Sequence, residues 1–383
     1  MVIAKALSVP QALHSAKRSV MALARMLNFR ARHASRHAMQ CTLLVPDLFG
    51  PRDAPDDLAR GLALASTELA LARSRAERHA PLAIEGWLCQ AFEVERQQDW
   101  PVAPLTLPLD GGEPGAAYWL RADPVHLQLQ RDRVAVMGSD TLDLSQQDAD
   151  AMVEALNGQF SADGLHFEAR APKRWYLRTA RRPALSTETM SVAAGRDARE
   201  MLPSGEDAAS WRQRYNELQM VLHALPINAA RADAGLPAIN SVWIWGGGIK
   251  TKVPGRHYTA VWSDDALAQA LGAHSDAHTA ALPVDAGAWF AAARALPGRH
   301  NHLVVIEDCA RAVAYGDIAG WRTAIERVER AWMSPLVAAV RGGDIERLAI
   351  ATPGTDAAQR FELDARSLRK FWTRPRPLSA YRS

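Results

Sequence analysis

The run from His223 to Gly248, HALPINAARADAGLPAINSVWIWGGG, constrains the fold more than any other part of the chain. It joins a helix end, a turn, a near-continuous apolar strand and a triple glycine. A strand without polar alternation is buried on both faces, as in parallel sheets covered by helices on either side. The neighbouring sequence supplies such a sheet. CTLLVP from Cys41, YTAVW, HTAALPV, HLVVIED and the segment 344–351 are further apolar runs. Helical spacing over 208–225, 264–272, 285–296 and 317–340 separates them, and 57–79 reads as one Ala- and Leu-rich helix after the first strand. Parallel strands need crossovers of this kind. The expectation is an α/β fold, a doubly wound, mostly parallel sheet with ligands at the strand C-terminal ends.

A second pattern interrupts the first. WPVAPLTLPLDGGEPGA over 100–116 is rich in Pro and Gly and reads as a boundary. Beyond it YWLRADPVHLQLQRDRVAVMG alternates over two strands, a helix follows Ser145 as N-cap, and LHFEA and WYLRTA add two strands. This predicts a small α+β domain over 113–204, inserted into a core made of 41–112 and 205–383.

Charge is distributed unevenly. Residues 1–46 carry seven Lys or Arg and no acid, which leaves 38 basic against 42 acidic residues in the remainder. The body is therefore weakly acidic, which argues against nucleic acid as a partner. Residues 1–40 read as a basic, disordered leader, with a docked surface helix or contact with a membrane surface or nucleic acid as alternatives. No apolar run approaches the roughly 20 residues of a membrane span. Cys41, Cys89 and Cys309 are sparse and odd in number, as in a cytoplasmic protein with reduced thiols.

Several residues are candidates for a site. Gly246, Gly247 and Gly248 could cradle an anion, with Lys250 and Lys252 following, or could simply form a tight turn. Asn228 and Arg231, one helical turn apart, could fork onto a carboxylate or phosphate, or Asn228 could cap the turn after Pro226. His274, Asp276 and His278 have a spacing a metal could use, but a solvated loop explains them as well. Trp243 and Trp245 share one strand face. They and most of the other tryptophans read as core or interface packing, whereas an exposed cluster would mark a partner site.

These residues also carry a resemblance. HALPIN, Arg231, GLPAIN with Asn240, and VWIWGGG are similar to the Asn-x-x-Arg, Gly-x-Pro-x-Asn, strand and Gly-rich signature of archaeal-type cofactor-independent phosphoglycerate mutases, of the alkaline phosphatase superfamily. YWLRADPVHLQLQRDR, GLHFEA, RWYLR and the terminal FWTRPRPL resemble proteobacterial RpfE-type regulatory proteins. The resemblance implies an alkaline-phosphatase-like core. The mutases use Asp and His ligands for two metals and a serine nucleophile. Asp47 and Asp308 match two of those aspartates. Ala312 stands where the first pattern has a ligand His, ATPGTD replaces a later Asp-His pair, FWTRPRP replaces the terminal His motif, and PLAIEGWL offers no serine. Two carboxylates do not hold two divalent ions against water. The chain is thus expected to be a degenerate, regulatory relative that binds a protein partner or a small anion, with no cofactor and no metal at the vestigial Asp47 and Asp308. The alternative is a metal-dependent phosphomutase or phosphatase using manganese or zinc.

Overall fold

The computed structural model describes residues 39–382 other than Asp56, Pro297 and Arg299. The expectations for residues 1–38 lie outside the described residues. The first strand, β1 (Met39–Leu44), starts two residues before the expected Cys41, Met39 already pairing with Ile345.

In chain order the strands are β1, β2 (Arg75–His79), β3 (Tyr118–Leu129), β4 (Val134–Met137), β5 (Leu165–Ala171), β6 (Arg174–Thr179), β7 (Ser241–Gly248), β8 (Ala260–Trp262), β9 (His278–Ala280), β10 (Asn301–Val305), β11 (Ile345–Thr352) and β12 (Ala358–Asp364). One sheet runs β2-β12-β11-β1-β10-β8-β9. Its last five members are mutually parallel, while β12 and β2 add antiparallel at one edge. The expected mostly parallel sheet is present.

Alternation along these strands sorts the core by face. Leu43, Val304, Trp262, Leu348 and Ile350 point to one side and pack with Trp289, Trp321, Ile325 and Leu336 of the helices there. Leu44, Leu303, Val305, Val261 and Ala351 point to the other, against helices Ile84–Ala91, Val102–Thr106 and Ala266–His274. Two of the covering helices are capped by their own aspartates. Asp265 and Asp285 accept from the third residue on, at 2.7 and 2.8 Å. Helix Ala65–Arg73 lacks a local cap. The buried Glu329, 263 residues away in sequence, accepts instead from the amides of Ser66 and Thr67 and from the Thr67 hydroxyl, at 2.6–2.9 Å.

Two expectations are corrected. Segment 57–79 is not one helix: after Arg73 the chain turns and RAERH becomes edge strand β2. Its residues favour helices, but pairing to β12 overrides that weak preference, and its charges suit an exposed edge. SVWIWGGG does not join the parallel sheet either. β7 pairs antiparallel with β3, Ala122 opposite Ile244 and Asp123 opposite Trp243.

The second sheet therefore contains β4, β3, β6, β5 and β7, and segment 205–248, expected in the core, builds it. Helix Ala208–His223 covers one face of this sheet together with helix Gln146–Phe160, through Trp211, Tyr215, Leu218, Met152 and Leu156. From the other face Trp243 and Trp245 reach the cluster that covers the parallel sheet. β7 is apolar throughout because it is sandwiched, and two-sided burial does not reveal strand direction. Trp175, Trp289 and Trp321 are fully buried, and Trp119, Trp211, Trp243, Trp245, Trp262 and Trp332 nearly so. Trp372 is the exception, exposed against Phe371 with ring centroids 5.2 Å apart. Among the described residues no helix is long and apolar enough to cross a membrane.

Candidate functional site

The loops that leave β1, β8, β10 and β11 gather carboxylates at the C-terminal edge of the parallel sheet, where α/β sheets bind ligands. β1 and β10 are locked together up to this edge, Ile306 N–H donating to Leu44 at 2.9 Å, and Val45 N–H donates to Ala351 of β11 at 2.8 Å. Asp47 follows in a left-handed conformation, φ 53°. Its carbonyl accepts from the buried Trp321 indole at 3.1 Å and from the Gly50 amide at 3.0 Å, so the strained turn is held from two sides. Burial pushes the Asp47 carboxyl up to about 6, with Arg196 opposing and Asp356 adding to the rise. Arg196 arrives from the second layer because Gly195, φ 73°, lies so close to the Ala314 carbonyl that a Cβ would sit 1.7 Å from it.

Further along the edge the charges crowd. Glu307 follows β10 and its carboxyl is pushed up to about 8, first by burial and then by Asp265 and Glu85, with Arg311 opposing. Glu85, in the first turn of helix Ile84–Ala91, is raised by burial although it accepts from the Ser191 hydroxyl at 2.6 Å. Asp265, the cap of helix Ala266–His274, is likewise raised by burial. Asp308 forms an ion pair with Arg327. The Cys309 thiol is pushed up to about 12 by burial and by Asp47, so it is inert as a nucleophile.

Reasoning from sequence identified Asp47 and Asp308 but missed Glu85, Asp265 and Glu307. Each is a carboxylate at the end of, or inside, an apolar run, as in PLAIEGWL and HLVVIED. A charged residue bounded by core residues was the available signal. Among the described residues, no three His, Cys, Asp or Glu stand together as a metal-ligand group.

The other candidates lie elsewhere and serve the backbone. Asn228 is buried, donating to the carbonyls of Leu222 and Ile239 at 2.8 and 2.9 Å and accepting from Ile239 N–H at 2.8 Å. Arg231 donates to the carbonyls of Pro237 and Asp143 at 2.9 and 2.6 Å. Asn240 exchanges two bonds with the Leu127 backbone, 2.7 and 3.0 Å. These side chains pin the loop before β7 to its neighbours.

Gly246, Gly247 and Gly248 belong to β7 rather than to a loop. A Cβ at each would meet Val102, Tyr118 or Pro101 within 2.5–2.9 Å, so their role in the fold is close packing. Lys250 follows them exposed. His274, Asp276 and His278 diverge: His274 contacts the Leu105 carbonyl, Asp276 pairs with Arg256, and His278 packs on Trp262.

No family model matches the chain. A stretch of 111 residues is 23% identical to the 2,3-bisphosphoglycerate-independent phosphoglycerate mutase of Methanosarcina mazei, spanning 28% of this chain and 28% of that protein. Among solved structures, PH0037 protein from Pyrococcus horikoshii matches with a TM-score of 0.52 at 13% identity, over 85% of this chain and 87% of its own. The cofactor-independent phosphoglycerate mutase from Thermoplasma acidophilum matches at 0.46 and 13%, over 90% and 94%. The chain is thus distantly similar to the cofactor-independent phosphoglycerate mutases, with a mixed α/β fold built on a mainly parallel sheet.

Proposed function

We propose that this protein is a phosphoglycerate-mutase-like scaffold that has lost its catalytic centre and works in the cytoplasm as a regulatory factor, binding a protein partner or a small anion. The observation that carries the reading is the ion pair of Asp308 with Arg327, which occupies one of the two aspartates that match the mutase pattern. At Asp47 and Glu307 the nearby Arg196 and Arg311 oppose the upward shift that burial causes without overcoming it. A two-metal phosphoryl-transfer site needs several anionic or imidazole ligands around each ion, free of competing cations. The residues here do not suit one. Ala312 stands on the helix after Asp308 where the mutase pattern has a His, helix Ile84–Ala91 begins without a serine, and Asp308 is already engaged. The regulatory role rests on the RpfE-type resemblance, and the cytoplasmic assignment on three buried free thiols.

The test is interconversion of 3- and 2-phosphoglycerate by the purified protein with added manganese, alongside metal analysis. The expected result is no turnover above a protein-free control and far less than one manganese or zinc per chain. Turnover that disappears in Asp47→Asn overturns the reading.

A further inference from the structure

Residues 366–382 return to the parallel-sheet layer and are held there at both ends. Leu368 and Leu378 are buried in its core, and the Leu368 carbonyl accepts from Arg73. Tyr381 stacks on Phe49 with ring centroids 6.3 Å apart and meets Phe361 edge-on at 5.9 Å, while its carbonyl accepts from Gln359 at 3.0 Å. Between these anchors a short loop carries Phe371 and Trp372 outward, 81% and 69% exposed. We infer that this loop is a docking tip for the surface of an anionic phospholipid bilayer, with the two rings entering the interface and the cations beside them held by the headgroups.

Two observations of different kinds coincide on the loop. The first is apolar. A single exposed hydrophobic residue is ordinary, but two large aromatic rings in succession, on a loop that the fold anchors, form an uncovered apolar tip. Every other tryptophan of the chain is buried or half-buried. Local backbone bonds present the pair, Phe371 N–H donating to Arg369 at 2.8 Å and Thr373 N–H to Lys370 at 3.1 Å.

The second is charge. Arg366, Arg369, Lys370, Arg374 and Arg376 lie within five residues of the pair, and 365–382 contains no Asp or Glu. None of these five takes part in an ion pair among the described residues.

A lipid surface requires no converging pocket. Any cation within roughly a Debye length of an anionic plane, about 8 Å at physiological salt, is attracted to it whichever way its flexible stem points. Aromatic rings favour the boundary between headgroups and acyl chains, and binding there grows with apolar area and with charge together. Pro375 and Pro377 bring no amide N–H, which lightens the desolvation of the backbone beside the rings. Single-stranded nucleic acid is matched less well, because bases stack on ring faces and here the two rings stand at 80°, edge to face. This role does not depend on whether the Asp47 edge is catalytic, so the mutase assay and the test below fail separately.

The experiment is flotation of the full chain with vesicles of phosphatidylcholine alone and with phosphatidylglycerol as one lipid in three. Binding to the mixed vesicles, lost at high salt, and little binding to the neutral ones are expected. Phe371→Ser/Trp372→Ser and Arg374→Gln/Arg376→Gln should each lower the partition coefficient about tenfold or more. Their unfolding midpoints should match the parent's, because all four side chains are exposed. In Trp372→Phe binding should persist, while the quenching of tryptophan emission by brominated phosphatidylcholine seen in the parent should disappear. The inference is overturned if the mixed vesicles do not bind the parent, if either double variant binds as the parent does, or if brominated lipid quenches Trp372→Phe as it quenches the parent. It is also overturned if a single-stranded oligonucleotide binds more tightly than the mixed vesicles and loses affinity in the same variants, which assigns the loop to nucleic acid.

Discussion

In the five-stranded sheet each buried carboxylate has its own guanidinium. Asp123 accepts from Arg121 at 2.5 Å and from the Trp245 indole at 2.8 Å, while Arg121 lies 5.3 Å from the ring centroids of both Tyr176 and Trp245. Burial alone would raise the Asp110 carboxyl, but hydrogen bonds from Arg174 and Tyr176 hold it below the usual range. At the edge of the parallel sheet Glu307, Asp265 and Glu85 face one another, and all three are shifted upward. Matched pairs hold a fold in register, because removing either partner strands a buried charge. Crowded like charges stabilise nothing by themselves. They mark the edge as the place where this scaffold keeps electrostatic tension, as functional sites do.

That contrast is open to direct attack. Asp123→Ala should be the most damaging change, costing about 3–5 kcal/mol because Arg121 is left buried without its counterion. Denaturant unfolding reads this out, and a loss below about 1 kcal/mol would place Asp123 with the edge carboxylates rather than with the structural pairs.

Glu329→Ala sharpens the comparison from within the parallel-sheet layer. Its carboxylate satisfies three donors at the start of helix Ala65–Arg73, so its loss should cost about 2 kcal/mol and expose the amides of that first turn to faster hydrogen exchange.

Glu307→Gln should have the smallest effect, on the order of 1 kcal/mol after solvent screening, and its sign depends on pH. The Glu307 carboxyl is raised from 4.5 to about 8, so the folded state holds the proton more tightly than the unfolded chain. Its contribution is fully present below about pH 4.5 and is lost as pH rises through about 8. The parent protein should lose stability across that interval, and the Gln variant should show a shallower slope and unfold later than the parent at pH 9. Equal slopes for the two proteins would remove Glu307 from the account.

Much of this architecture was legible in the residues. The apolar runs CTLLVP and HLVVIED, the Ser145 cap and the LHFEA and WYLRTA hairpin all lie in the elements their patterns predict. Asp47 and Asp308 also lie where strand-end carboxylates should. The assignment of β7 to the parallel sheet failed. The short motifs around β7 solve a packing problem, tying a loop and admitting helix Val102–Thr106 against bare backbone.

Local pattern by itself determined most helices and strands and which of their residues face inward, β2 excepted, because periodicity and caps act over a few neighbouring residues. Only the tertiary structure decided to which sheet a doubly buried strand belongs, and which carboxylates lose their water beside others of like charge. Both depend on what the chain brings close from far along its length. Glu85, Asp265 and Glu307 are far apart in sequence, yet they share one desolvated edge where burial raises the proton affinity of all three and the Asp265 charge adds to the rise at Glu85 and Glu307.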